Sequence, residues 1–228
     1  MAAIYLIRHG QASWGKRDYD ALSEQGVEQA KILGKALAQR IDTPDRIICG
    51  GMRRHRQTAE HALAAMGLRS DWHEDKRWDE YDHQELIVRH KPLYKSRTLM
   101  LADLARTLKP KETFQEIFEQ ALHRWVAREH DHEYHESWPV FLQRVNEGLQ
   151  HLAETGDRNI LVFTSGGAIS AVTKTLWNMP DSEWMRLNRV IANASITKVV
   201  VGKRGLHLST FNEHAHFEGE QRAMLTYR

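Results

Sequence analysis

An α/β fold is predicted, a three-layer sandwich with a mostly parallel central sheet, helices on both faces and a helical lid insertion. Three observations carry this. Short apolar runs alternate with stretches of helical period. The runs are apolar on both faces, as strands of a covered parallel sheet are. Capping and stop signals stand between the two kinds of segment.

The first strand is Ala3–Ile7. Ser23 then stands as an N-cap before a helix over Glu24–Gln39, whose apolar positions are Val27, Ala30, Ile32, Leu33, Ala36 and Leu37. A strand over Arg46–Cys49 leads through Gly50-Gly51 into a helix from Arg53 through Ala65, ending near Gly67. Between about 82 and 153 the pattern changes to polar helical periodicity rich in His and Glu, with no convincing strand. Thr113-Phe-Gln-Glu116 reads as a capping box there, and Ser137 with Pro139 as another helix start. The expectation is one domain over 1–228 carrying a helical insertion at about 82–153. The sheet resumes with Ile160–Thr164, followed by a helix from Gly167 to about Trp177 that Asn178 and Pro180 stop. Strands Ala194–Val201 and Leu206–Phe211, joined by Gly202-Lys-Arg-Gly205, finish as an antiparallel hairpin.

Bulk composition bounds the function. The chain has 228 residues, 41% hydrophobic and 27% charged, with formal net charge +2. A sizeable core is affordable, and the basic residues are too dispersed to suggest nucleic acid. Cys49 is the single cysteine, so no intramolecular disulfide forms. No run approaches the roughly 18 apolar residues of a membrane span, and the first apolar run does not resemble a signal peptide. The expected setting is cytoplasmic, without a membrane partner.

The chemistry begins where the first strand ends. Arg8 and His9 stand at its carboxyl edge, the usual place for ligands in open α/β sheets. An imidazole can attack phosphorus while a guanidinium holds phosphate oxygens, which makes a phosphohistidine intermediate the first hypothesis.

Arg8-His9-Gly10 is followed by Leu22-Ser23-Glu24-Gln25-Gly26, Arg54-His-Arg-Gln57-Thr58-Ala59, Trp78-Asp79-Glu80-Tyr81-Asp82 and Phe163-Thr164-Ser165-Gly166-Gly167. In this order the motifs resemble the histidine phosphatase superfamily, also called phosphoglycerate mutase-like, over essentially the whole chain. The resemblance implies that His9 is the nucleophile and that Arg8 and Arg54 form a phosphate clamp, their planar forks matching phosphate oxygens. It implies that Glu80 is the general acid, later the base that deprotonates water. Read by itself, Asp79-Glu80 could be an acidic surface loop. Arg53 reads as solvated, and Arg56 is open.

One departure stands out. Where the family pattern has Ser-His-Gly-Gly, this chain has Thr164-Ser165-Gly166-Gly167, so a serine replaces the second histidine. Losing one positioned donor of that kind costs on the order of 3 kcal/mol, about a hundredfold in rate. Either Ser165 with the amides of Gly166 and Gly167 forms an adapted anion pocket, or a histidine from elsewhere fills the gap. His216 and His55 are the candidates. Gln11, Ser13, Trp14 and His216 are candidate pocket residues, and Gly15 stands where many members carry asparagine.

The expected activity is hydrolysis of a small phosphorylated metabolite without a metal or other cofactor. Mutase-type phosphoryl transfer and weakly active phospho-ligand binding are the alternatives. His130-Asp-His132-Glu-Tyr-His135 fits no standard metal-ligand spacing and reads as a polar loop. A homodimer is compatible with the chain.

Overall fold

The computed structural model describes residues 2–13 and 20–227. They fall into two compact units, one of 1–80 with 144–228 and one of 81–143.

In the first unit, a six-stranded sheet among the described residues has the order β3-β2-β4-β1-β5-β6. Its strands are β1 (Ala2–Arg8), β2 (Arg46–Cys49), β3 (His73–Glu74), β4 (Asn159–Thr164), β5 (Ile196–Gly202) and β6 (Gly205–Glu213). β1, β4, β2 and β3 run parallel, whereas β5 and β6 join antiparallel. The sheet is therefore mixed, with its parallel part where the site residues emerge. β3 has no counterpart among the expected strands. Two exposed residues, His73 and Glu74, carry no hydrophobic pattern to announce it.

Helices α1 (Glu24–Ala38) and α2 (Arg53–Ala65) pack against one face of the sheet. Ala3, Tyr5 and Ile7 of β1 and Leu161 and Phe163 of β4 meet Leu33, Leu37, Ala59 and Ala62 there. Side chains alternate across a strand, so Ile4 and Leu6, also fully buried, point to the opposite face, where the helix Gly166–Leu176 contacts β1. Fully burying such a side chain contributes about 1.5–3 kcal/mol, which is why these short strands can hold the sheet. Ser23 caps α1, its side chain accepting from the Gly26 amide as expected. Cys49 is buried at the end of β2, and burial pushes its thiol up to about 12, so it is unreactive at neutral pH.

The second unit holds α3 (His83–His90), α4 (Arg97–Leu104) and α5 (Pro110–Val126). Helix α6 (Trp138–Glu154) starts in it, and α6 residues from Arg144 onward belong to the first unit. Helical character was expected here, but the far boundary differs. Val145, Leu149 and Leu152 are buried, which ties that part of α6 to the sheet-bearing unit. Asp82 caps α3 through the amides of Gln84 and Glu85. The α5 start also differs. Proline at the first helical position opens the helix at Pro110, leaving Thr113 inside the helix rather than capping it. Tyr81, Trp125, Trp138 and Phe141 pack ring against ring, with Trp125 and Trp138 edge-on at 5.2 Å. Trp125 and Trp138 are fully buried and anchor this core.

Helices α7 (Gly166–Leu176) and α8 (Trp184–Val190) complete the first unit and pack together. No helix among the described residues is long and apolar enough to cross a membrane.

Candidate active site

Strand register sets the site. Arg8 of β1 lies opposite Thr164 of β4, and Cys49 of β2 lies opposite Phe163. The residues that follow, His9, Ser165 and Gly50, therefore leave the same sheet edge side by side. The His9 amide donates to the Thr164 carbonyl at 2.9 Å, extending the ladder one step into the site.

His9 is held in one orientation. Its Nδ1–H donates to the Gly10 carbonyl at 2.7 Å, which leaves Nε2 with a lone pair. Arg54 Nε donates to that Nε2 at 3.2 Å. Burial, then the Arg54, Arg8 and His55 charges, hold the ring's pKa well below the ordinary imidazole value. The imidazole is neutral at pH 7 and its available nitrogen faces a cation. Asn193 Nδ2 and the Ala194 amide both donate to the His9 carbonyl, at 3.3 and 3.2 Å, and fix the backbone.

The motif spacings have physical causes. Gly10 and Gly26 touch backbone to backbone, and a Cβ on Gly10 would lie 2.4 Å from the Gly26 carbonyl oxygen. Three residues of α2 then bracket the loop after β1. Arg54 reaches His9, Gln57 Oε1 accepts from the Leu22 amide at 2.8 Å, and Thr58 Oγ1 accepts from the Gly10 amide at 3.0 Å. Arginine, glutamine and threonine at this spacing are thus three hydrogen-bonding posts on adjoining turns of one helix.

Asp20 was not anticipated from the sequence. Its Oδ1 accepts from Arg54 Nη1 at 2.8 Å, and its Oδ2 accepts from the Arg53 amide at 2.8 Å. The signal available was an acid two residues before the Leu22-Ser23-Glu24-Gln25-Gly26 motif. Gln11 and Ser13, read as pocket candidates, support the same loop. Gln11 Oε1 accepts from Ser23 Oγ at 2.7 Å, and Ser13 Oγ donates to the Ala21 carbonyl at 3.1 Å. Trp14, Gly15, Lys16 and Arg17 lie outside the described residues.

Arg8 Nη1 donates to the Ile191 carbonyl and to the Tyr227 carbonyl, the latter at 3.0 Å. Its charge still bears on His9, as one cause of the lowered pKa. Gly166 lies beside it, where a Cβ would be 3.5 Å from Arg8 Nε.

On the β4 side, Ser165 caps α7 without spending its side chain on the helix. Ser165 Oγ and His55 Nε2 are 2.6 Å apart, and neither residue is exposed. His55 and His9 ring centroids are 5.8 Å apart. Burial, then the charges of Arg54 and Arg56, hold His55 well below its ordinary pKa, with the Gly50 backbone opposing. Glu80 Oε2 accepts from the Gly167 amide at 3.0 Å, which sets its carboxylate at the same helix start. Asp79 accepts from the Gly51 amide at 2.5 Å, and its pKa is raised chiefly by burial.

His216 is held elsewhere. Its Nε2 donates to the Ala194 carbonyl at 3.0 Å, its ring lies 4.3 Å from that of Phe217, and burial pushes its pKa down to about 4. Of the two candidate histidines, His55 meets Ser165 and His216 bonds to the Ala194 carbonyl instead. Among the described residues no group of three or more His, Cys, Asp or Glu side chains is placed to hold a metal ion.

Fold and site together describe an α/β protein with a buried, neutral imidazole at a sheet edge, flanked by guanidinium groups. Such an edge is suited to taking up an anionic group. The chain belongs to the histidine phosphatase superfamily (branch 1), whose family model matches residues 4–99 and 102–214. Members of that superfamily are generally enzymes of phosphoryl hydrolysis or transfer. A 2,3-bisphosphoglycerate-dependent phosphoglycerate mutase of Leifsonia xyli subsp. xyli is 39% identical over 69 residues, 28% of this chain and 28% of that protein. The matched stretch therefore spans about a quarter of that curated relative. Among solved structures, phosphoglycerate mutase from Bacillus anthracis superposes with TM-score 0.64 at 20% identity, covering 94% of each chain. Phosphoserine phosphatase from Entamoeba histolytica gives TM-score 0.65 at 17% identity, covering 95% of this chain and 99% of that one. At these identities the structures share the fold.

Proposed function

We propose that this chain is a phosphomonoesterase that hydrolyses a small phosphorylated metabolite through phosphorylated His9, with no resident metal or cofactor. The observation that carries this is the state of His9. Its Nδ1 is pinned on the Gly10 carbonyl, and its buried Nε2 lone pair faces the Arg54 guanidinium.

In the first step Nε2 forms a bond to phosphorus while the ester P–O bond breaks, and the departing oxygen takes a proton from Glu80. As the phosphoryl group arrives, the Arg54 Nε–H passes from the imidazole lone pair to a phosphoryl oxygen. Asp20 keeps the guanidinium in place through Nη1. The charge of Arg8 adds to the field around the transferring group. In the second step water forms the new P–O bond, the N–P bond breaks and Glu80 accepts the water's proton. His9 returns neutral and inorganic phosphate leaves. The fixed donors are set before reaction, so little reorganisation is needed as charge develops.

His9→Ala should abolish hydrolysis of an aryl phosphate, a loss on the order of 10⁴-fold or more, together with transfer of labelled phosphate to the protein. Turnover persisting in that variant would overturn the proposal. Mutase-type transfer is the second reading, supported by the curated mutase relative and the Bacillus anthracis structure. It predicts that label on the protein moves to an added phosphoglycerate faster than to water.

A further inference from the structure

Two polar side chains 110 positions apart in sequence are buried together beside the nucleophile. Ser165 follows β4 and His55 lies in the first turn of α2, with Oγ and Nε2 2.6 Å apart and no exposure of either residue. Packing does not require this pair, since an apolar side chain would fill the space without the cost of burying polar groups. Room for the ring depends on Gly50, where a Cβ would sit 2.3 Å from His55 Nδ1.

The direction of the hydrogen bond follows from the other ring nitrogen. Nδ1 lies against the Gly50 backbone, which opposes the fall in the ring's pKa, but makes no bond of hydrogen-bond geometry to it or to any other group. A buried N–H without an acceptor is rarer than an unmatched lone pair, so the ring proton belongs on Nε2, donating to Ser165 Oγ. The serine hydroxyl then keeps its own hydrogen. The Ser165 oxygen accepts no capping bond from the first turn of α7, so the hydroxyl is not oriented by the helix. The His55 ring also neighbours His9, with 5.8 Å between ring centroids.

We propose that Ser165 is a catalytic residue that donates its hydroxyl hydrogen to the phosphoryl group on its way to and from His9, with His55 as the positioning residue that orients the hydroxyl. This rests on the phosphohistidine reading above. It assigns to two side chains on different elements the donor role that the family pattern places in one histidine at position 165. It also explains why the replacement is a small residue: a ring at 165 would collide with the one already reaching from α2.

The test measures kcat and KM separately with p-nitrophenyl phosphate. Ser165→Ala should lower kcat about a hundredfold with little change in KM. His55→Phe keeps the ring packing and removes the donor, whereas His55→Gln keeps an N–H close to the same point. The pair predicts that Gln retains at least tenfold more kcat than Phe, and a packing role predicts the reverse. Ser165→Ala combined with His55→Phe should be no slower than the slower single variant, because residues acting as a unit are not additive. Ser165→His should lose activity alone and regain it when His55→Ala makes room. Thermal unfolding confirms folding, and Ser165→Ala, which removes one oxygen, is the variant least able to disturb it. Ser165→Ala within twofold of wild type, Phe equalling or exceeding Gln, or single losses that multiply would each overturn the pair. If His9→Ala also abolishes labelling, only the pair has failed. Turnover surviving His9→Ala removes both readings.

Discussion

The two halves of the sheet edge are built in different ways. Around β1 and α2, His9 is held by its own neighbour and by residues of a single helix. His9 sits on its own neighbour's carbonyl, Gly10 touches Gly26, and Arg54, Gln57 and Thr58 project from one helix onto the loop between those glycines. Around β4 and α7, the site is a meeting of distant side chains. Ser165 takes its partner from α2, and Glu80 reaches the Gly167 amide. The first half tolerates little change because each residue type has one geometric job. The second half can exchange residues between elements, provided a donor ends up in the same place.

Arg54→Gln should separate the halves most sharply. It removes the cation on His9 Nε2 and is expected to lower kcat/KM by about 10²–10³. Arg54 is also one cause of the low His9 pKa, so its loss lets the imidazole hold its proton more readily. The acidic limb of the kcat/KM profile should move to higher pH. A limb that stays in place would show that Arg54 does not act on His9.

Glu80→Gln probes the other half and is expected to cost about a hundredfold on an alkyl phosphate. The loss should be smaller on p-nitrophenyl phosphate, whose leaving group departs without a proton. Equal losses on both substrates would contradict a role in protonating the leaving group.

A smaller effect is expected from Asp20→Asn. The Asp20 carboxylate is partly exposed, so its pairing with Arg54 is worth about 1 kcal/mol, or about fivefold in kcat/KM. Steady-state kinetics at two salt concentrations should show the wild type moving toward the variant as salt screens the pair.

His216→Asn should leave kcat and KM unchanged, because that ring is bonded to the Ala194 carbonyl. Its effect is on stability. An unfolded histidine protonates near pH 6.5, whereas folded His216 resists protonation down to about 4. Between these values falling pH favours the unfolded chain, by about 1.4 kcal/mol per pH unit from this residue. Urea unfolding over that range should give a shallower slope for the variant.

Most of the sheet was legible because buried strands are short apolar runs with nothing else to become. Arg46–Cys49 and Arg53–Ala65 coincide with their expected bounds. β3 was not legible, since its pairing with β2 supplies an order that His73-Glu74 does not encode. At Pro110 a proline outranked a capping-box pattern three residues on, and the helix began earlier. In the site, local motifs announced His9 and Arg54. Asp20 stood just outside them and was missed, because an acidic loop residue reads as solvent-facing until Arg54 is seen beside it. The role of His55 was ambiguous for a deeper reason. A histidine after Arg54 becomes meaningful only when β4 brings Ser165 within 2.6 Å.

The most direct measurement is the chemistry and position of the trapped phosphoryl group. Rapid quench with labelled aryl phosphate, followed by peptide mapping, should place the label on the peptide containing His9, stable in alkali and lost in acid. A label that survives acid, is released by alkali and maps to Ser165 would make the serine the nucleophile and contradict phosphorylation of His9.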